Sequence, residues 1–247
     1  MGNMFGGGYA VGGKIQHTVF FKFPEVARGG DAEAAMAAVV AKFDALPGVS
    51  ASFASHGTKT LEKAAQLAAL DWPDKTDGFT HCLLVVADDV ASLKAYLHSD
   101  LHLVDWMAAV KPHIKGIVVS DSKLALDLDP STAELLHPVL FKLADTVDEA
   151  AMAAVVDKFN AIDGIAASVE KFLGNDFLKA VDWPDKAGGY TYCLTVAARD
   201  SAALKAYLHS DAHIKEWVPA IAPHFNAAEG TTPLLVFDVP LELAAAK

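Results

Sequence analysis

The decapeptide Leu93-Lys94-Ala95-Tyr96-Leu97-His98-Ser99-Asp100-Leu101-His102 returns 111 residues later as Leu204-Lys205-Ala206-Tyr207-Leu208-His209-Ser210-Asp211-Ala212-His213. From Asp71 to Trp106, read against Asp182 to Trp217, 23 of 36 positions are identical. Self-similarity on this scale constrains the architecture before any local pattern does. A unit of roughly 110–120 residues is too long for a solenoid repeat and right for a small domain. The 247-residue chain is therefore a tandem pair. The predicted divisions are a glycine-rich tail over 1–13, a first domain over 14–129, a linker over 130–132, a second domain over 133–242 and a short tail over 243–247.

Within each copy the hydrophobic pattern alternates between the periods of strand and helix. Ile15, His17, Val19, Phe21 and Phe23 share one face of a strand, as do Leu135, His137, Val139, Phe141 and Leu143. Each histidine thus sits among large apolar neighbours on a face that should be buried. A helix follows, marked by Met36, Val39, Val40, Phe43 and Leu46, or by Met152, Val155, Val156, Phe159 and Ile162. Weaker strands are expected near Val49–His56 and Ile165–Phe172, and the stretch Leu61–Leu70 reads as helix or loop. Gly78–Ala87 reads as a well-buried strand with His81 on one face and Cys82 on the other. Tyr192 and Cys193 hold those places in the second copy.

The next helix carries Val90, Leu93 and Leu97 inward. Ser99-Asp100 is a second capping signal inside it, predicting a break and a new helix from Leu101 to about Val110. A straight helix sets residues six apart about 240° from each other, so this break is what allows Tyr96 and His102 to face one pocket. Short closing strands are expected at Lys123–Leu128 and Leu234–Val239, with Asp127 and Asp238 in register.

The order β-α-β-β-α-β is that of a ferredoxin-like split βαβ sandwich. One sheet face, carrying Phe20, Cys82, Leu84 and Val86, is left apolar and uncovered by helices. The predicted fold is accordingly α+β, with the two ferredoxin-like repeats packed sheet to sheet as an intramolecular dimeric A/B barrel.

Composition narrows the function classes. Net charge is −11 with a pI near 5.2, and no dense Lys/Arg cluster offsets it, so no nucleic-acid partner is expected. No apolar run reaches the length of a membrane span, so no membrane partner is expected. The glycine-rich amino terminus lacks the apolar core of a secretory signal. Two cysteines at equivalent positions make no disulfide framework. A cytoplasmic protein is the resulting expectation.

These motifs resemble the stress-responsive dimeric A/B barrel domain family. The resemblance rests on the opening His-x-Val-x-Phe-Lys strands (His17–Lys22, His137–Lys142), the Gly-Tyr/Phe-Thr strands (Gly78–Thr80, Gly189–Thr191), the Tyr-x5-His block and the closing strand with its aspartate. It covers nearly everything from Lys14 to about Pro240. Each copy is also similar to the olivetolic acid cyclase-like branch, whose cyclase closes a polyketide chain without metal or cofactor. That resemblance implies catalytic roles for Tyr96, His102, Tyr207 and His213, and ligand contacts for His17, His81 and His137. The sequence departs from the branch at Tyr192, where a histidine is the pattern, and at Ser99-Asp100, where His-Pro is.

A cluster of His17, His81, Tyr96 and His102 suits acid–base chemistry near neutral pH and needs no metal or cofactor. The same groups also suit a buried polar cluster whose members satisfy one another. Trp106 and Trp217, one turn beyond the pocket histidines, are expected to pack over them as ligand-contacting rings, with Tyr192 beside the second. His98 and His102, like His209 and His213, have the i, i+4 spacing of zinc ligands, but the break lies between them and no third ligand is evident, so no metal is expected. Trp72 and Trp183 read as anchors of a repeated loop. The functional expectation is a stress-associated barrel that binds a small apolar or aromatic molecule in a His/Tyr-lined pocket between sheet and helices. The alternatives are a cofactor-independent cyclase or lyase, and a structural or assembly protein, with further homo-oligomerisation of the pseudo-dimer open.

Overall fold

The computed structural model describes residues 12–28, 30–55, 70, 72–73, 75–126, 132–226 and 232–241. The first copy runs β1 (Ile15–Lys22), α1 (Gly30–Phe43), β2 (Val49–Ser55), β3 (His81–Ala87) and α2 (Val90–Leu97). It continues through a π-helix over Leu101–Trp106 and ends in β4 (Gly116–Lys123). The second copy runs β5 (Leu135–Phe141), α3 (Glu149–Phe159), β6 (Ile165–Lys171), α4 (Asn175–Val181), β7 (Tyr192–Ala198) and α5 (Ser201–Leu208). A π-helix over Ala212–Trp217 leads to β8 (Leu234–Val236) and β9 (Val239–Pro240).

Each copy forms an antiparallel sheet, in the orders β2-β3-β1-β4 and β6-β7-β5-β8. Alternation sends Ile15, Val19 and Phe21 of β1 onto the helices, where they join Met36, Val40, Phe43, Leu93 and Leu97 in one core. The opposite faces meet between the sheets, where Phe20, Cys82, Leu84 and Val86 pack with Leu136, Leu140, Cys193 and Phe237. Phe20 and Phe237 touch at a ring-centroid distance of 4.8 Å. Two ferredoxin-like repeats thus pack sheet to sheet, and each large side chain buried there contributes about 1.5–3 kcal/mol. A small polar set sits within this apolar layer. Gln16 donates to Thr18 Oγ1 at 2.9 Å and accepts from Thr195 Oγ1 at 3.1 Å. Both cysteines are free and buried, and burial raises both thiols, Cys193 to about 12.

The closing strands differ from the expectation. In the first copy the strand is Gly116–Lys123, and Asp127 lies outside the described residues, as do His56 and 61–69 of the stretch expected as helix or loop. The aspartate that corresponds to Asp238 is Asp121. The second copy spends 20 residues between Trp217 and Asp238 where the first spends 14 between Trp106 and Asp121, so the uniform 111-residue offset fails there. The second closing strand is also split. Pro138 stands where β1 has Thr18, and it has no N–H to donate to the ladder. Pairing to β5 therefore stops at Val139–Val236 and resumes at Leu136–Val239, while Phe237 N–H still donates to the Pro138 carbonyl at 3.1 Å. Gly78–Thr80 precede β3 as a turn and do not begin it; Gly78 takes φ 75° there.

Candidate functional site

Strand register builds the first element of the site. His17 in β1 lies directly opposite Asp121 in β4, both on the helix-facing side. The His17 Nδ1–H donates to Asp121 Oδ1 at 2.7 Å in a nearly fully buried pair. His137 and Asp238 repeat the bond at the same distance. The aspartate fixes the imidazole orientation and commits Nδ1, leaving Nε2 for another partner.

The helix break supplies the second element. Asp89 caps α2 by accepting from Ser92 N–H at 2.7 Å, and the helix runs to Leu97. Ser99 then interrupts it: its Oγ donates to the Tyr96 carbonyl at 2.8 Å and accepts from His102 N–H at 3.2 Å. Beyond it the chain is wound as a π-helix for six residues, a rare form that is frequent at functional sites. The outcome is that Tyr96 and His102 face each other, with ring centroids 4.9 Å apart, and Tyr207 and His213 do the same at 4.9 Å.

The protonation states follow from the partners. A carbonyl only accepts, so the 2.9 Å contact from His102 Nδ1 to the Leu97 carbonyl places the proton on Nδ1 and the lone pair on Nε2. Burial, more than any neighbouring charge, pushes His102 down to about 4 from its ordinary 6.5. His213 repeats the bond to Leu208 and also falls to about 4. Both are neutral bases at pH 7. Burial first, and the Asp121 charge second, raise the Tyr96 phenol far above its ordinary range, and Asp238 does likewise to Tyr207. The Tyr96 and Tyr207 hydroxyls are fully buried, and neither has a hydrogen-bond partner among the described residues.

His17 is in edge contact with Tyr96 at 5.9 Å and His137 with Tyr207 at 5.8 Å, so each copy gathers four groups: Asp, His, Tyr, His. His81 is not among them. It pairs with Phe21, four residues along the strand from the partner of His17, about 13 Å away. There it stacks on Phe53 at 5.4 Å, tilts against Phe23 at 4.8 Å and lies 3.4 Å from Glu33. Tyr192 holds the equivalent place in the second copy, donating to Glu149 at 2.5 Å. Trp106 and Trp217 are also displaced from their expected role. Trp106 packs edge-on against Phe21, Phe43 and Phe53, and Trp217 against Phe141 and Phe159.

The rings over the pocket histidines come instead from the repeated Asp-Trp-Pro-Asp-Lys loop of the opposite copy. Trp183 lies 5.2 Å from His102, and Trp72 lies 5.2 Å from His213. The α4 segment that carries Trp183 is anchored in the first copy: Phe177 and Val181 are buried in its core. His98 Nε2–H donates to the Val181 carbonyl at 2.9 Å, and Lys94 donates to that of Ala180 at 2.9 Å. Leu70 is buried in the second core in return, with His209 donating to its carbonyl at 2.8 Å. The i, i+4 histidines therefore face different carbonyls and do not converge. Among the described residues no group of three His, Cys, Asp or Glu side chains is placed to hold a metal, and no helix is long and apolar enough to cross a membrane. A cavity of about 190 Å³ is lined in part by Val119, Asp121, Leu173, Leu178, Lys186 and Tyr190.

Several solved structures share this arrangement over both copies. A candidate monooxygenase from Fusobacterium nucleatum subsp. nucleatum aligns with a TM-score of 0.62 at 9% identity, over 96% of this chain and 96% of its own. An anthrone oxidase-like protein aligns at 0.59 with 10% identity, over 94% and 93%. A candidate monooxygenase from Lactobacillus acidophilus NCFM aligns at 0.54 with 12% identity, over 94% and 96%. At these identities the likeness is one of fold. No curated protein sequence matches the chain. The Stress responsive A/B Barrel Domain matches it twice, over residues 15–124 and 135–231, and the chain therefore belongs to that family, as two domains in one polypeptide.

Proposed function

We propose that this protein binds a small apolar or aromatic molecule at Tyr96 and His102 and, equivalently, at Tyr207 and His213. The observation that carries this reading is the pair of buried tyrosine hydroxyls with no hydrogen-bond partner among the described residues. Leaving a buried polar group unpaired costs about 1–3 kcal/mol, and the same cost recurs at the same position in both copies. A ligand carrying a hydroxyl or carbonyl oxygen would satisfy each hydroxyl. Phe43, Tyr96, His102 and Trp183 supply the aromatic walls on which its apolar body packs. Entry requires the half-buried Trp183 or Trp72 to swing aside. Stabilisation in a thermal-shift screen of hydroxybenzoates and alkylphenols tests the reading, because a ligand that binds the folded state raises the melting temperature.

A second reading, a cofactor-independent cyclase or lyase, is favoured by the fixed tautomer of His102. A neutral imidazole with its lone pair on Nε2 is a competent general base. Tyr96 O–H is positioned as a hydrogen-bond donor to the oxygen that gains charge when a proton is removed next to a carbonyl. Under this reading His102 Nε2 takes that proton and Tyr96 stabilises the resulting enolate; the carbon so activated attacks a second carbonyl within the same substrate, whose C=O π electrons move to its oxygen, and that oxygen takes the proton back from His102. Asp121 holds His17 against Tyr96 throughout. His102→Ala should abolish turnover and leave folding intact; unchanged turnover would leave binding alone as the account.

A further inference from the structure

The two His/Tyr clusters leave the other end of β7 unused. In the first copy that end is filled by the ring stack of Phe23, His81 and Phe53. The second copy has Leu143, Tyr192 and Val169 at those places. Two rings are thereby replaced by smaller aliphatic groups, and a cavity of about 430 Å³ lies there, with Tyr192 and Val169 in its wall. Its size is within the range of roughly 300–1,000 Å³ typical of small-molecule sites.

The chemistry of its wall is specific. Tyr192 Oη donates to Glu149 at 2.5 Å. The Lys171 ammonium sits 5.6 Å above the Tyr192 ring, 3.9 Å from Glu149 and 3.7 Å from Asp145. A cation on a ring face between carboxylates is the way proteins hold amine ligands. Here every contact of that cation is loose, and the Lys171 side chain is half-exposed. Glu170 and Lys123 also line the cavity; burial holds the Glu170 pKa above its ordinary value, and the Lys123 charge offsets part of the rise. Met152, Phe172 and Leu173 make an apolar floor. The net charge of −11 favours cations over anions around the molecule.

We propose that this cavity binds an organic amine. Its ammonium lies on the Tyr192 ring between Glu149 and Asp145, where the Lys171 ammonium now sits; its apolar body lies on Met152 and Phe172, and Lys171 is a tethered occupant that the ligand displaces. The site stands about 13 Å along the strand from the His137 cluster, so this proposal and the one at Tyr207 fail independently.

Calorimetric titration of the full chain with phenethylammonium tests it, with 2-phenylethanol and 3-phenylpropionate as neutral and anionic controls of the same shape. Saturable binding of the amine is expected, with both controls at least roughly tenfold weaker, the scale of one charge-assisted contact. Glu149→Gln should weaken the amine about tenfold, and Lys171→Met should tighten it by freeing the ring face. Glu149 and Lys171 are both more than half exposed on their side chains, so both variants should keep the wild-type circular dichroism. No binding of the amine, equal binding of the alcohol, or weaker binding to the Lys171→Met protein would each overturn the proposal.

Discussion

Trp183 of the second copy lies 5.2 Å from His102 of the first, and Trp72 of the first lies 5.2 Å from His213 of the second. Each copy therefore closes the other's Tyr/His cluster. The exchange explains why Asp-Trp-Pro-Asp-Lys is preserved in both repeats. It also makes each Tyr/His cluster depend on the pairing of the two copies.

The first prediction concerns that cap. Burial is the leading cause of the depressed His102 pKa, so removing the ring that covers it should restore water. Trp183→Ala should raise the His102 pKa from about 4 by more than about one unit, while His213, under Trp72, stays where it is. Imidazole carbon–proton resonances followed against pH would read both residues. Equal movement of both, or of neither, would show that Trp183 is not the cap.

Stability should carry the same signature. Both histidines have folded pKa values near 4 against an ordinary value of 6.5. Between those values the unfolded chain binds more protons than the folded one, so stability is full above about pH 6.5 and falls as pH drops toward 4. The loss amounts to up to about 3 kcal/mol per histidine. Urea unfolding at pH 7.5 and 5 should show it, with a smaller difference in His102→Asn/His213→Asn. An unchanged pH dependence in that double variant would assign the loss to carboxylates.

A third expectation is that the copies do not fold separately. A fragment of residues 14–129 exposes Phe20, Leu84 and Val86 and loses Phe177 and Val181 from its core. It should dimerise or aggregate in sedimentation velocity runs. A well-folded monomer would contradict the sheet-to-sheet packing. In the full chain, Phe177→Ala should cost about 3–5 kcal/mol, although the residue lies in the other repeat from the core it fills.

The cysteines provide a fourth test. Cys82 and Cys193 are 1% exposed between the sheets, with thiols raised by burial, so thiolate chemistry should be negligible in the native state. Ellman's reagent should label neither in buffer and both in denaturant. Rapid native labelling would mean that the sheets part readily.

The parts of this structure that depend on local period were legible in the sequence. Two alternating strands put His17 and His137 on the buried face, and Ser99 marked the break that turns His102 toward Tyr96. What escaped was decided by loop length and by exchange between the copies. The six additional residues before Asp238 hid the identity of Asp121 as the partner of His17. Trp106, one turn beyond His102 in sequence, is the natural candidate for its cover. A tandem repeat cannot say from spacing alone whether a loop folds back on its own copy or crosses to the other, so Trp183 went unrecognised. His81 shares the buried face with His17, but sharing a face does not bring together side chains four residues apart along a strand. The replacement of His81 by Tyr192 was visible, yet the cavity beside it also depends on Val169 and Leu143, which no motif singled out.

Under the proposed function, the Tyr96 and Tyr207 hydroxyls receive the ligand. Calorimetric titration of the tightest-binding hydroxybenzoate or alkylphenol into wild-type protein and into Tyr96→Phe/Tyr207→Phe puts those two groups to the test. Removing an unpaired buried hydroxyl should leave the unliganded protein as stable as before or more so by about 1 kcal/mol. Binding should weaken at least about tenfold for each site. A double variant that binds as tightly as the wild type would contradict the account.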